Sequence, residues 1–223
     1  MHRFDTHFRD GQRVEDSVAA LLGTRRFTDG DGVDRHAGDF AFEGMLVECK
    51  SDFMFDKTGN MAVEFADDHG GYAHCTGVGK TVTMGTNAIY VHVLGTTGRF
   101  AVYNAEDMVA YLGSIATARP RVVSAKNSTY DTWSVLIRTP DAVPAAPFTI
   151  TGADHLPAVV RAAAAPWTHR QQQDVLDVAR ALRPALPADL RVKDAVGAAW
   201  ATPAAVRPGP GLTARSQDSS TAC

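Results

Sequence analysis

The segment from Gly38 to Lys50 (GDFAFEGMLVECK) constrains the fold more than any other stretch, because its polar and apolar residues alternate as a short β-hairpin requires. Side chains alternate along a strand, so Glu48 and Lys50 point one way while Val47 and Cys49 point the other. If Glu43 and Gly44 form a two-residue turn, Phe42 pairs with Met45 and Asp39 comes opposite Glu48. Directly opposed residues have Cβ atoms roughly 5 Å apart, where like charges destabilise the pair unless something neutralises them. A bound divalent cation does that, and two carboxylates with an amine on one face suit metal-assisted phosphodiester hydrolysis.

The rest of the chain supplies a frame for such a hairpin. Val14, Val18, Leu21 and Leu22 recur at helical spacing, which predicts a helix over 11–22 with Gly23 as its stop. Glu15 has Val18, Ala19 and Leu22 at offsets of three, four and seven, which puts its carboxylate at the edge of the apolar stripe. A turn-rich stretch over 28–32 follows, and a further strand is expected at about Met61 to Phe65. On that strand Glu64 shares a face with Ala62, and it becomes a fourth acidic candidate if the strand lies beside the hairpin.

The run from Ala88 to Leu94 reads as a buried strand, with Phe100 to Tyr103 pairing across Gly95 to Gly98. Asn104 is placed to cap a helix through Leu112. Val122 with Val123, and Trp133 to Ile137, read as two later strands. Beyond Ile137 the prolines at 140, 144 and 147 suggest a connector. Thr168 then caps an expected helix carrying Val175, Leu176, Val178 and Leu182, and a second helix is expected over 188–200. From Thr202 the large apolar residues nearly vanish, which predicts a disordered tail. The expected division is therefore a domain over 1–139, a connector and helical extension over 140–201, and a tail over 202–223.

Composition narrows the functional classes. With 223 residues and 45% hydrophobic content the chain can bury a real core. Its apolar runs are too short and interrupted to span a bilayer, and the segment after Met1 lacks the apolar stretch of a secretion signal. A cytoplasmic protein with no membrane partner is expected. The three cysteines, Cys49, Cys75 and Cys223, form no spacing pattern and argue against a disulfide framework. With 22 basic and 25 acidic residues the net charge is −3, so contact with a polyanion must be local. Arg3, Arg9, Arg13, Arg25, Arg26, Lys57 and Lys80 are the candidates for DNA phosphate contacts.

Three rival constellations are weaker. The stretch from His74 to Thr81 imitates a phosphate-binding loop, but His74 stands where the pattern needs glycine and no clear strand leads into it. Asp67, Asp68, His69, His74 and Cys75 carry zinc-capable groups at spacings that fit no common structural zinc pattern. Cys49 alternates to the apolar face and has no evident histidine partner, so packing explains it better than nucleophilic catalysis. Tyr72, Tyr90 and Trp133 read as sheet and core residues.

Taken in order, an acidic residue on the first helix, then Asp39, then Glu48-Cys49-Lys50 in strand context, resemble the PD-(D/E)xK nuclease superfamily. The segment from Lys57 to Asn60 and on to Glu64 looks like a continuation found in small phage and bacterial members. The resemblance covers roughly residues 10–138, and Gly38 stands where the family often has proline. It implies an α/β, restriction-endonuclease-like core with a mixed central β-sheet flanked by helices, followed here by the helical C-terminal extension. It also implies a Mg²⁺-dependent deoxyribonuclease, with Mn²⁺ as a substitute. Asp39, Glu48 and the Cys49 backbone carbonyl would be metal ligands, Glu15 would complete the set or bind a second ion, and Lys50 would orient water or phosphate. Glu64 and Asn60 are accessory candidates. DNA is the expected partner, a homodimer is compatible, and the extension is a candidate surface for another protein. The alternative is a nuclease fold that binds nucleic acid or a protein assembly without cutting.

Overall fold

The computed structural model describes residues 3–31, 38–69, 72–75, 77–78, 88–116, 118, 120–126, 131–138, 147–164 and 191–192. The first helix, α1 (Arg3–Leu21), carries Val18 and Ala19 on its buried face and ends at Gly23, whose φ of 69° is the left-handed stop expected there. The hairpin follows as β1 (Phe40–Phe42) and β2 (Met45–Asp52), paired Phe40 to Val47 and Phe42 to Met45. Glu43 and Gly44 are the two turn residues, with φ of 49° and 81°. Positive φ at both central positions is the type I′ geometry that matches the twist of paired strands. Glutamate has no intrinsic taste for that conformation. Its carboxylate is gripped by Arg161, with Nη2 to Oε1 at 2.6 Å, and this fastens the turn to a later helix.

A single turn of helix, α2 (Phe55–Thr58), leads into β3 (Asn60–His69) and β4 (Tyr72–Cys75). Next come β5 (Ala88–Leu94) and β6 (Arg99–Asn104), joined across Gly95 to Gly98 as expected. Asn104 Oδ1 accepts the Glu106 N–H at 2.8 Å and so caps α3 (Ala105–Ala116), which runs about one turn past Leu112. The pair β7 (Val122–Lys126) and β8 (Asp131–Arg138) bears out the two later strands, and β9 (Phe148–Gly152), α4 (Leu156–Ala163) and β10 (Arg191–Val192) close the described chain.

Instead of one central sheet, the described residues form two sheets of five strands, ordered β1-β2-β5-β6-β9 and β10-β4-β3-β8-β7. The first is mixed, since β2 runs parallel to β5 while its other pairs are antiparallel. One of its faces is apolar: Phe40, Val47, Cys49, Ile89, Val91 and Val102 pack under Val18 and Leu22 of the α1 segment and under Leu156 and Val160 of α4. The other face packs Ala88, Tyr90, Leu94 and Tyr103 against Met108 and Leu112 of α3 and against Met61, Val63 and Val135 of the second sheet. Each fully buried Val, Leu, Ile, Phe or Met side chain among these contributes about 1.5–3 kcal/mol relative to its exposed state.

The boundary expected after residue 139 does not hold. β9 pairs with β6 as an edge of the first sheet, and α4 covers that sheet's apolar face, so Phe148 to Ala163 belong to the same folded unit as the strands before them. Proline spacing marks an interruption of regular structure, but it does not mark the end of a core. Arg191 and Val192 pair in parallel with β4 and are strand, not part of the helix expected over 188–200. The helix expected from Thr168 and the tail over 202–223 lie outside the described residues. Among the described residues no helix is long and apolar enough to cross a membrane.

Candidate active site

The hairpin register sets the site. With Phe40 opposite Val47, and the Asp39 N–H donating to the Val47 carbonyl at 2.8 Å, Asp39 stands across from Glu48 where alternation placed it. Asp39 Oδ2 also accepts the Cys49 N–H at 2.7 Å, which pins its carboxylate to the β2 edge. Because N–H and C=O of one strand residue leave toward the same edge, the Cys49 carbonyl is directed to that side as well. The Cys49 side chain is buried among apolar residues, and burial pushes its thiol well above the ordinary range, so it stays protonated as a core group.

Lys50 and Glu48, two apart on one strand, form an ion pair with Nζ to Oε1 at 2.5 Å. Burial pulls the lysine down, but Glu48, Glu64 and Tyr90 outweigh it, and its pKa lies well above the usual value. It is a fixed cation. Asp39 behaves oppositely: burial first, and the neighbouring Glu48 second, raise its pKa from 3.8 to about 7 despite the Cys49 hydrogen bond.

Glu15 reaches this cluster from α1. Its carboxyl is raised by burial, with Arg26 opposing and Glu48 adding to the rise, and its charge also acts on Asp39. Arg26 supplies the link. Its backbone bridges to Phe40, next to Asp39, while its Nε lies 3.5 Å from Glu15 Oε2 and 3.1 Å from Asp16 Oδ1. Of the residues proposed to touch DNA, Arg26 thus has a structural task, and Arg25 is paired with Asp31 at 2.6 Å. Arg13 and Lys57 are exposed. The side chains of Arg3 and Arg9, and all of Lys80, lie outside the described residues.

Glu64 arrives by another route than side-by-side pairing with the hairpin. β3 belongs to the second sheet, and Asp52, at the end of β2, draws it over the first by accepting the N–H groups of Met54 at 3.0 Å and Ala62 at 2.8 Å. Glu64 then faces Lys50 closely enough to raise its pKa. Asn60 begins β3 and turns its amide back onto the Thr58 carbonyl at 3.0 Å, a local turn contact.

Two residues that alternation did not flag complete this face. His92 is paired in register with Lys50, is buried, and shares a 3.2 Å hydrogen bond between its Nδ1 and the Tyr103 hydroxyl. Tyr103 stacks on Tyr90 with ring centroids 5.3 Å apart. Burial, helped by Lys50, holds His92 down at about 3, so its ring is neutral. The only available signal was its polar character within an apolar strand.

As for the rival constellations, a strand does precede the glycine-rich stretch, since Tyr72–Cys75 is β4. Gly77 sits with φ of 52° where a Cβ would overlap the Glu64 carbonyl oxygen, so close packing accounts for this glycine. Asp67, Asp68, His69, His74 and Cys75 lie on the β3–β4 hairpin, with side chains outside the described residues. Among the described residues, no three His, Cys, Asp or Glu side chains close around one point tightly enough to enclose an ion as they stand. The chemistry available is a cluster of carboxylates of which one ionises only near neutrality, beside an ammonium that stays charged. No family model, curated protein or solved structure matches the chain.

Proposed function

We propose that the chain is a Mg²⁺-dependent deoxyribonuclease that hydrolyses phosphodiester bonds at the Asp39, Glu48 and Lys50 cluster, with a restriction-endonuclease-like core. The observation that carries this reading is the placement of Asp39 directly across from Glu48, with its carboxylate held against the Cys49 N–H: two carboxylates gathered at one spot, which burial and mutual repulsion push toward protonation, are poised to receive a cation. The donors are all oxygens, which suits a hard ion. Asp39, Glu48 and the Cys49 carbonyl would hold Mg²⁺, or Mn²⁺ in its place, and Glu15 would complete the set. When bound, the ion acidifies a water and offsets charge building on the phosphate. Lys50, fixed as a cation, orients the phosphate or the attacking water and does not serve as a base. Arg13 and Lys57 are the exposed basic groups best able to meet the DNA backbone.

The test incubates circular and linear DNA with Mg²⁺ or a chelator, and compares wild type with Lys50→Ala and Asp39→Ala. Cutting should need Mg²⁺ and fall about 100-fold or more in each variant, the scale of losing one electrostatic group from a transition state. Unchanged cutting in both variants refutes the assignment. DNA binding without cutting by any of the three proteins would instead favour the non-cleaving module.

A further inference from the structure

Beyond Lys50 the same sheet face opens into a cavity of about 200 Å³ between the two sheets. Tyr90 and His92 line it from β5, Glu64 from β3, and Thr132 and Ser134 from β8. Lys50 is the wall it shares with the carboxylate cluster. Three properties restrict what can enter.

The first is size, since the volume lies below the usual range for drug-sized ligands and suits a single ring system. The second is charge. Glu64 stands on one wall and Asp52 at the end, and beyond Lys50 at its mouth the cavity lining offers only neutral His92 and hydroxyl groups, so an anionic phosphate held at Lys50 gains nothing by going deeper. The third is the mixture of surfaces: hydroxyl groups of Ser134 and Thr132 on one side, and the edge of the stacked Tyr90 and Tyr103 pair on the other. A neutral, planar heterocycle with donors and acceptors around its rim matches all three.

Resting on the phosphodiesterase reading of the adjoining cluster, we propose that this cavity takes the unpaired nucleobase next to the scissile phosphate. A base stacked within a duplex cannot enter a space between two sheets without leaving the stack. The substrate class is therefore single-stranded or locally unpaired DNA. The cavity is a specificity site, and Ser134, opposite Glu64 in the β3–β8 register, is a residue whose enlargement would fill it.

Two measurements on the full chain test this. In the first, thymidine and deoxyadenosine, which carry no phosphate, are titrated while saturation-transfer NMR follows binding. Wild type should bind them at millimolar concentration, and Ser134→Leu at least tenfold more weakly. In the second, Mg²⁺-dependent cutting is compared on a single-stranded oligonucleotide, on its duplex, and on the single strand with one abasic residue beside the cut. The intact single strand should be cut at least tenfold faster than either. This comparison uses wild type alone and so stands even if Ser134→Leu folds poorly. Equal cutting of all three DNAs with no nucleoside binding overturns the cavity assignment and leaves the nuclease reading intact. Nucleoside binding that Ser134→Leu weakens, without cutting of any DNA, keeps the cavity and sinks the nuclease reading.

Discussion

The two faces of the first sheet are built from alternate residues of the same strands, yet they obey different physics. On one face Val47, Cys49, Ile89 and Val91 meet α1 and α4 as an unbroken apolar layer. On the other, buried Tyr90 and His92 and half-buried Glu48 and Lys50 hold charge and hydrogen-bonding capacity. The apolar face holds the strands in register at no electrostatic cost. The polar face accepts that cost, because desolvated, like-charged carboxylates are less stable than the residues they displace. A strand with period-two alternation can separate the two tasks without any extra element.

Breaking the apolar face should produce the largest effect on stability. Ile89→Ala removes a fully buried side chain, and unfolding in urea should show a loss of about 3 kcal/mol. Mg²⁺-dependent cutting per folded molecule should stay near wild type, since Ile89 points away from the cluster. A fall in cutting matching that of Lys50→Ala would show that the two faces are not separable.

The polar face should respond with the opposite sign. Asp39 binds its proton more tightly in the folded protein, near 7, than at its ordinary 3.8, so its contribution to stability is present at low pH and is lost as pH rises toward 7. Without divalent ions, Asp39→Asn should therefore stabilise the protein at pH 8, on the order of 2 kcal/mol, and have little effect near pH 4. Calorimetry at the two pH values decides. The same proton must leave before a cation binds, so Mg²⁺ affinity in wild type should rise through neutrality, with proton release measurable by titration in buffers of different ionisation enthalpy.

The smallest effect sharpens the comparison inside the polar face. Tyr103→Phe keeps the stacked ring but removes the hydroxyl bonded to His92, which should cost about 1 kcal/mol in thermal unfolding. A loss of the size expected for Ile89→Ala would mean that the hydroxyl supports more than this one pair.

Local patterns accounted for local features. Alternation and Glu43-Gly44 set the hairpin register, Gly23 stopped α1, and Asn104 capped α3, because each depends on residues within a few positions of one another. The edge placement of Glu15 was readable from helical spacing, and so was the shared face of Glu48 and Lys50 from strand spacing. The second sheet, the return of β9 and α4 to the first, the Arg161 clamp on Glu43 and the meeting of His92 with Tyr103 were not readable. They depend on which distant segments become neighbours.

By itself the order of residues determined which groups share a face and which turn joins them, since backbone geometry fixes those relations over a few ångströms. Only the tertiary structure decided how deeply that face is buried and which charges meet on it: burial and Glu48 together raise Asp39 to about 7, whereas Glu48, Glu64 and Tyr90 overcome burial and keep Lys50 charged. Around Lys50 the covering segments are β3, tied to β2 by Asp52, and β8, and no pattern within Gly38 to Lys50 encodes their arrival.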